Sequence, residues 1–404
     1  MDEATIGARL RILRRWRGMT QVQLAGLAGL SPSFVSMIEN GQRPLDRRSH
    51  IAAIATALRV SETDLVGGPH LSADRQQSDP HMAIPALREA LQTNTLTAPA
   101  VDRARPLTEL AEAVTRAIEP ARVRCDYTGA GQALPSVLDE LHWHAAQAAD
   151  ETSRQLALGT LIEACVAATL IAKNLGYLDL AHVAALRAEE AAALLGDPVQ
   201  QGKAALTRIW ALPRERPSER KLTIIERAAD TLEPHARTAL GRQVLGLLTL
   251  HAALAAAIAQ RPPLVSHWLG EASELAGRLP DDMAGNWQSF CRTNVGVWRV
   301  AISVERGESG GAVLALASAV EQDKIASRSR KAQFLADVGR GLAREPGTRT
   351  EAAQWLRRAE RIGPQHIRNS APARETVAYL LNRARADAGG RELRGMAARM
   401  GVTP

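Results

Sequence analysis

Residues 20–44 have the sequence TQVQLAGLAGLSPSFVSMIENGQRP, in which two apolar runs are separated by turn-forming and helix-capping residues. Threonine and serine, here Thr20 and Ser31, commonly precede helices, because their hydroxyl oxygens accept hydrogen bonds from unpaired N–H groups of the first turn. Pro32 follows Ser31 at the first helical position, where a missing N–H costs nothing. Gly29 suits a tight turn between the two helical runs. The stretch therefore predicts two short helices joined at the glycine.

Apolar residues on both sides extend this pair to a five-helix unit over residues 1–66. Ile6, Leu10 and Leu13 are spaced i, i+4, i+7, which predicts one buried face of a first helix. The second helix is expected to bury Leu24, Ala25 and Leu27, and the third Val35 and Ile38. Five helices are predicted: one from Ile6 that ends at Gly18, one over Gln21–Ala28, one from Pro32 that ends at Asn40-Gly41, one over Arg48–Leu58, and a short one that starts at Ser61.

The unit closely resembles the helix-turn-helix domain of the Cro and phage-repressor family. The matching residues are Thr20-Gln21, Leu24-Ala25, Gly29, Ser31, Val35-Ser36, Ile38-Glu39-Asn40-Gly41 and Arg43-Pro44. The resemblance covers about the first 66 residues. It implies a domain that binds double-stranded DNA, with the second helix of the pair lying in the major groove. It also implies a function in transcription regulation.

The resemblance assigns DNA base contacts to four residues of that helix, Pro32, Ser33, Ser36 and Met37. Serine hydroxyls can donate to or accept from a base, and proline and methionine can touch a thymine methyl group. The family often has Gln or Arg at such positions, which form two hydrogen bonds to one base. We therefore expect modest sequence specificity per base pair.

The resemblance also assigns phosphate contacts and one structural pair. Thr20 and Gln21 begin the second helix, where N–H groups and the helix dipole face an anion. The predicted phosphate contacts after the third helix are Asn40, Gln42 and Arg43. Arg14 and Glu39 match a pair that joins the first helix to the third, and we expect this pair to contact no base.

Residues 67–83, beginning GGPHLSADRQQSDPH, are rich in helix-breaking residues and are predicted to form a linker. From residue 84 to 404 the pattern is helix upon helix, with breakers at intervals of about 40 residues. Predicted pairs include 151–175 with 178–195 and 234–259 with 263–279, and 391–400 is predicted to cap the end. This region resembles degenerate tetratricopeptide repeats, which stack into an α-solenoid. An irregular helical bundle is the alternative. The predicted fold is thus all-α.

Composition sets limits on function. The formal net charge of +7 and pI near 9.8 suit a polyanionic partner. Three cysteines without C-x-x-C spacing are expected to be reduced thiols. The apolar run 244–259 is short for a membrane span and predicts a buried helix, and the first residues show no signal-peptide pattern. We expect a cytoplasmic protein without membrane contact. No motif predicts a catalytic residue, metal ligand or cofactor site.

Three classes of function follow from these patterns. The first is a homodimeric transcription regulator whose helical repeats bind a signal; peptide, small molecule and protein all stay open. This arrangement resembles that of the peptide-sensing regulators of Gram-positive bacteria, and the dimer is expected because one domain contacts only a few base pairs. The second is a protein-interaction scaffold that kept the helix-turn-helix fold but does not bind DNA. The third, an enzyme with a helical-repeat active site, has no supporting carboxylate or metal cluster.

Overall fold

A computed structural model describes residues 5–69, 78–212, 219–384 and 390–402, and every regular element in these ranges is helical. The N-terminal helices are α1 (Ile6–Trp16), α2 (Gln21–Ala28), α3 (Pro32–Glu39), α4 (Arg48–Leu58) and α5 (Glu62–Val66). Thr20 and Gln23 form reciprocal capping hydrogen bonds at the start of α2. Gly29 ends α2 with a φ of 64° that favours glycine. These bounds agree with those predicted from the caps and turns.

The five N-terminal helices enclose one apolar core. Leu10, Leu24, Val35 and Ile38 are all fully buried in it. Leu27, expected to be buried, is instead 64% exposed. The prediction was wrong because the buried side of α2 is centred on Leu24 and Ala25, and Leu27 lies roughly 100° around the helix from that direction.

The helices after residue 83 build the body of the molecule. They are α6 (Ile84–Thr93), α7 (Leu107–Glu112), α8 (Glu119–Val123), α9 (Tyr127–Gln147), α10 (Glu151–Asn174), α11 (Leu178–Leu195), α12 (Pro198–Ala211), α13 (Glu219–Leu232), α14 (Ala239–Ile258), α15 (Pro262–Gly277), α16 (Arg292–Arg306), α17 (Gly310–Ser318), α18 (Arg328–Leu342), α19 (Arg349–Ile362), α20 (Pro364–Arg368), α21 (Ala371–Ala384) and α22 (Arg391–Arg399). A π-helical turn, Ala113–Ile118, joins α7 to α8.

Helices that follow one another in the body pack side by side. The contact between α10 and α11 is extensive and uses small residues, since Ala181, Ala184 and Ala188 of α11 are fully buried. The helices α10 and α14 are long and apolar enough to cross a membrane by composition, but 78% and 83% of their apolar windows are buried inside the body. They are its central helices. The all-α architecture, a helix-turn-helix region followed by a repeat-like helical body, agrees with the sequence prediction.

The helical array closes on itself. Tyr127, at the start of α9, donates its backbone N–H to Gln365 at 2.6 Å, and its hydroxyl lies 2.9 Å from Nδ1 of His366. Helix α8 also contacts α18. A cavity lies within the closed array. The sequence carries no local signal for these contacts, because they join residues more than 200 positions apart.

The end of the predicted linker, residues 67–83, packs against the body. Residues 70–77 lie outside the described residues. Residues 78–83 belong to the packed body, where His81 is buried and its ring nitrogens lie 3.0 Å from the Tyr177 hydroxyl and 3.3 Å from Asn369 Oδ1. The prediction rested on helix breakers alone, and Pro80 is accommodated in a 3₁₀ turn over Asp79–His81.

The helix-turn-helix region packs against the C-terminal helices of the body. Glu375 of α21 accepts the backbone N–H groups of Ile6 and Leu45 at 3.2 and 3.4 Å. Arg340 of α18 donates to the Asp46 carbonyl at 2.6 Å and lies 3.2 Å from Glu305. These contacts fix the orientation of α3 relative to the body.

Candidate nucleic-acid interface

The predicted base-contacting residues lie along the outer side of α3. Ser31 caps this helix by accepting the N–H of Phe34 at 3.2 Å, and Val35 and Ile38 anchor its inner side. The described structure leaves two of the four predicted residues exposed, Pro32 and Ser33, and two half-buried, Ser36 and Met37. Their positions i, i+1, i+4 and i+5 share one helix face. The surface they form is small and shallow enough to approach base edges.

The predicted phosphate residues at the start of α2 differ from each other. Thr20 is exposed, and its hydroxyl accepts the N–H of Gln23 at 3.2 Å. Gln21 is half-buried, and its amide donates to Glu39 Oε2 at 2.8 Å. The side chain of Gln21 therefore braces α3, which leaves its backbone N–H as the group facing an anion.

The loop after α3 presents the other predicted phosphate residues. Asn40, Gln42 and Arg43 are all exposed. The Asn40 side chain accepts a hydrogen bond from Arg11, which also donates to the Glu39 carbonyl at 2.7 Å. The Arg43 guanidinium lies 5.7 Å from the centre of the Phe34 ring, which orients this cation beside α3.

The pair Arg14 and Glu39 joins α1 to α3. Arg14 donates two hydrogen bonds to the Glu39 carboxylate, at 2.6 and 2.8 Å, and a third to the Met19 carbonyl at 2.7 Å. Burial alone would raise the pKa of Glu39, but the hydrogen bonds from Arg14 and Gln21 lower it below its usual value. Glu39 is therefore a carboxylate at neutral pH and holds α3 through charged hydrogen bonds.

Two further arginines, Arg9 in α1 and Arg17 directly after it, bind backbone carbonyls of the domain, whereas Arg15 is exposed. Arg17 donates to the carbonyls of Leu58 and Arg59 at 2.8 and 2.9 Å, and Arg9 donates to the Leu65 carbonyl at 3.0 Å. The basic composition of α1 thus has a structural cause. Charge counting in the sequence could not separate these side chains from cations that face a ligand.

One basic side chain near this surface comes from the body. Arg383 of α21 donates to the Gln42 carbonyl at 3.1 Å, and its guanidinium lies 5.9 Å from the centre of the Tyr379 ring. It therefore lies beside the loop predicted to contact phosphate. The sequence contained no signal for this residue, because it is 341 positions from its partner.

The described part of the chain shows no reactive or metal-binding centre. No group of three or more His, Cys, Asp and Glu in those ranges is placed to hold a metal ion. Cys125, Cys165 and Cys291 are buried, and burial raises the pKa of each thiol to about 12. These thiols are protonated at neutral pH and act as small apolar side chains.

Comparison with known proteins agrees with the geometry of the first 66 residues. A family profile described as a helix-turn-helix domain matches residues 5–66. The N-terminal unit is a helix-turn-helix domain. Within the chain, 39 residues are 59% identical to the HTH-type transcriptional regulator PrpR of Mycobacterium tuberculosis. That match covers 10% of this chain and 8% of that protein. No solved structure matches the chain.

Proposed function

We propose that the protein is a transcription regulator that binds specific sites in double-stranded DNA through its helix-turn-helix domain. The observation that carries the proposal is the outer face of α3, where Pro32 and Ser33 are exposed beside Ser36 and Met37. These side chains would contact base edges, and Thr20, the Gln21 N–H, Asn40, Gln42 and Arg43 would contact phosphates. A curated relative named as a transcriptional regulator supports the same function.

The test is selection of bound genomic fragments by the intact protein and by the double variant Ser33→Glu with Ser36→Glu. Carboxylates on the groove-facing side of α3 repel phosphates and block approach to the bases. We expect the intact protein to enrich one palindromic sequence and the variant to lose that enrichment. The control adds the same charge elsewhere, at the exposed Ser136 and Ser318 of the body, and should enrich the same sequence as the intact protein.

If neither protein enriches any sequence, the chain is the scaffold described above and does not regulate transcription through DNA. If the α3 variant enriches the same sequence as the intact protein, another surface makes the specific contacts. Either result would overturn the assignment of the base-contacting residues.

The helical body is proposed to have two further roles. It is a tetratricopeptide-like domain that binds a signal, and it forms a homodimer so that two α3 helices occupy half-sites about one DNA turn apart. The body acts by binding rather than by catalysis, and the protein acts in the cytoplasm. Mass photometry or sedimentation at micromolar concentration should give twice the chain mass. A monomeric mass both with and without DNA would contradict the dimer.

A further inference from the structure

The cavity inside the body is built by the whole molecule. Its volume is about 980 Å³, and its wall includes α10, α12, α14, α16 and α18. Arg48, Val66 and Gly67 of the helix-turn-helix domain also line it. The volume is at the upper end of the range for small-molecule sites, about 300–1,000 Å³. A cavity of this size holds a whole small ligand rather than a few waters.

One side of the cavity is an aromatic wall. The rings of Trp210 and Trp287 are nearly parallel, with an angle of 23° and centres 6.3 Å apart. The Trp210 indole N–H donates to Nε2 of His251 at 2.7 Å, and the His251 ring centre is 4.8 Å from that of Trp298. This hydrogen bond and these ring contacts hold the indoles in place. A fixed set of ring faces binds a flat apolar group at little entropic cost.

A cation without an ion-pair partner lies against this wall. The Arg330 guanidinium is 5.2 Å from the centre of the Trp298 ring, and within the described ranges no carboxylate forms an ion pair with it. Asp337 is the acid that influences the pKa of Arg330, but its carboxylate already binds Arg340 at 2.7 Å. Arg330 is half-buried at the cavity wall, where an anion would compensate its charge. Arg330 thus has the charge and position of an anion-binding group.

Acids as well as cations line the cavity, and three of the acids are already paired: Glu119 with Arg122, Glu163 with Lys203 and Asp337 with Arg340. Burial, together with the nearby Lys173 and Arg330 cations, lowers the pKa of His366 to about 4. Burial and the cations Lys173 and Lys221 also hold the pKa of His251 well below its usual value. Both imidazoles are neutral at neutral pH. Burial and the Arg122 guanidinium lower the pKa of Arg330 to about 10, so Arg330 remains a cation.

We infer that the cavity binds a small organic anion that carries a planar ring. The anionic group lies at Arg330, and the ring lies on the indole wall formed by Trp287 and Trp298. The inference deepens the proposed function, because helix-turn-helix residues line the same cavity and its occupant would be the signal.

The test uses three probes of matched chemistry: 2-naphthoate, its uncharged counterpart 2-naphthamide, and acetate, an anion without a ring. Binding to the full-length protein is measured by calorimetry and by quenching of tryptophan fluorescence, up to about 1 mM probe. We expect saturable binding of 2-naphthoate and at least about tenfold weaker binding of the other two, because each lacks one of the two recognised groups.

The deciding variant is Arg330→Gln. It should weaken 2-naphthoate binding at least about tenfold and leave the melting temperature of the ligand-free protein unchanged or higher, since Arg330 forms no ion pair within the described ranges. A purely structural arginine would lower that temperature instead. The matched control is Arg358→Gln, because Arg358 lies 4.8 Å from the Trp355 ring on an exposed part of α19 and does not line the cavity. It should bind 2-naphthoate like the intact protein.

Three results would overturn the inference: no saturable binding of 2-naphthoate, equal binding of the amide, or unchanged binding by Arg330→Gln. If the Gln variant folds poorly, Arg330→Lys replaces it. This variant keeps the charge, so it should still bind 2-naphthoate, although more weakly, and should not prefer 2-naphthamide. All probe binding is measured without DNA. Failure of this inference is therefore distinct from failure of DNA binding, which is measured without probe.

Discussion

At Glu39, side chains from two other helices meet one buried carboxylate. Arg14 of α1 and Gln21 of α2 both donate to it, and Arg11 lies 3.8 Å away. The carboxylate is on α3, so these bonds set the position of the helix that is proposed to enter the major groove. Burial of this charge is compensated only while its partners remain, which makes the contribution of Arg14 larger than that of an exposed ion pair.

The first prediction concerns this pair. Arg14→Met should lower the free energy of opening of α3 by about 3 kcal/mol, because it leaves Glu39 buried with fewer partners. Hydrogen exchange of the α3 amides measures this quantity. Replacing Arg14 and Glu39 together by Met should cost less than the sum of the two single changes. Arg15→Met, at an exposed neighbouring position, is the control and should have little effect. Additive losses would show that the pair is not coupled.

At the scale of single helices, the close approach of α1 to α3 depends on Gly7. A Cβ atom at this position would overlap the carbonyl oxygen of Ile38, a backbone atom that cannot rotate away. By contrast, Gly26 in α2 has no atom within 4 Å of the corresponding position. The same substitution therefore has opposite consequences at the two glycines.

The second prediction follows from this difference. Gly7→Ala should destabilise the domain by about 1–3 kcal/mol and weaken DNA binding, because α1 must move away from α3. Gly26→Ala should stabilise it by about 0.5–1 kcal/mol, since alanine loses less backbone entropy in a helix. Thermal unfolding followed by circular dichroism compares the two variants. Equal melting temperatures would contradict the packing described for α1 and α3.

Helix starts were predictable because their signals are local. Thr20 and Ser31 cap the helices that directly follow them, and Gly29 forms the turn between. The exposure of Leu27 was not predictable, because an eight-residue helix with several apolar residues does not specify which one faces inward. The sequence also could not distinguish the tryptophans of the cavity wall from core tryptophans, because the cavity is formed by helices that are distant in sequence.

At the scale of the whole molecule, the helix-turn-helix domain is joined to the body by buried charge. Asp46 in the loop after α3 lies 3.7 Å from Arg340 and 3.2 Å from Arg344. Glu305 accepts the backbone N–H of Arg48 at 2.9 Å. Arg48, the first residue of α4, also lines the cavity. A ligand in the cavity would therefore contact α4, which is joined to α3 by the loop that contains Asp46.

The third prediction concerns Glu375 in this interface. Burial raises its pKa to about 7, although the backbone N–H groups of Ile6 and Leu45 oppose the shift. Because the folded pKa lies above the usual 4.5, the contribution of Glu375 to the docked state is greatest below about pH 4.5 and is lost as pH rises toward about 7. The protection factors of the Ile6 and Leu45 amides, corrected for intrinsic exchange, should fall over this range.

Glu375→Gln is the control for this pH dependence. Its amide cannot ionise, so the protection factors should become independent of pH between 4.5 and about 7. They should also be lower throughout, because one of the two acceptor oxygens is replaced by a donor, at a cost of about 1 kcal/mol. A pH dependence that survives the substitution would assign the titration to another group.

Binding of double-stranded DNA by the α3 face is best tested by a salt titration. The affinity of the intact protein for a selected fragment should fall linearly on a logarithmic scale, with a slope of about −0.9 per neutralised phosphate. Arg43→Ala should reduce the magnitude of that slope by about one. Absence of salt-dependent binding to any fragment, or a slope unchanged by Arg43→Ala together with unchanged affinity, would contradict the account.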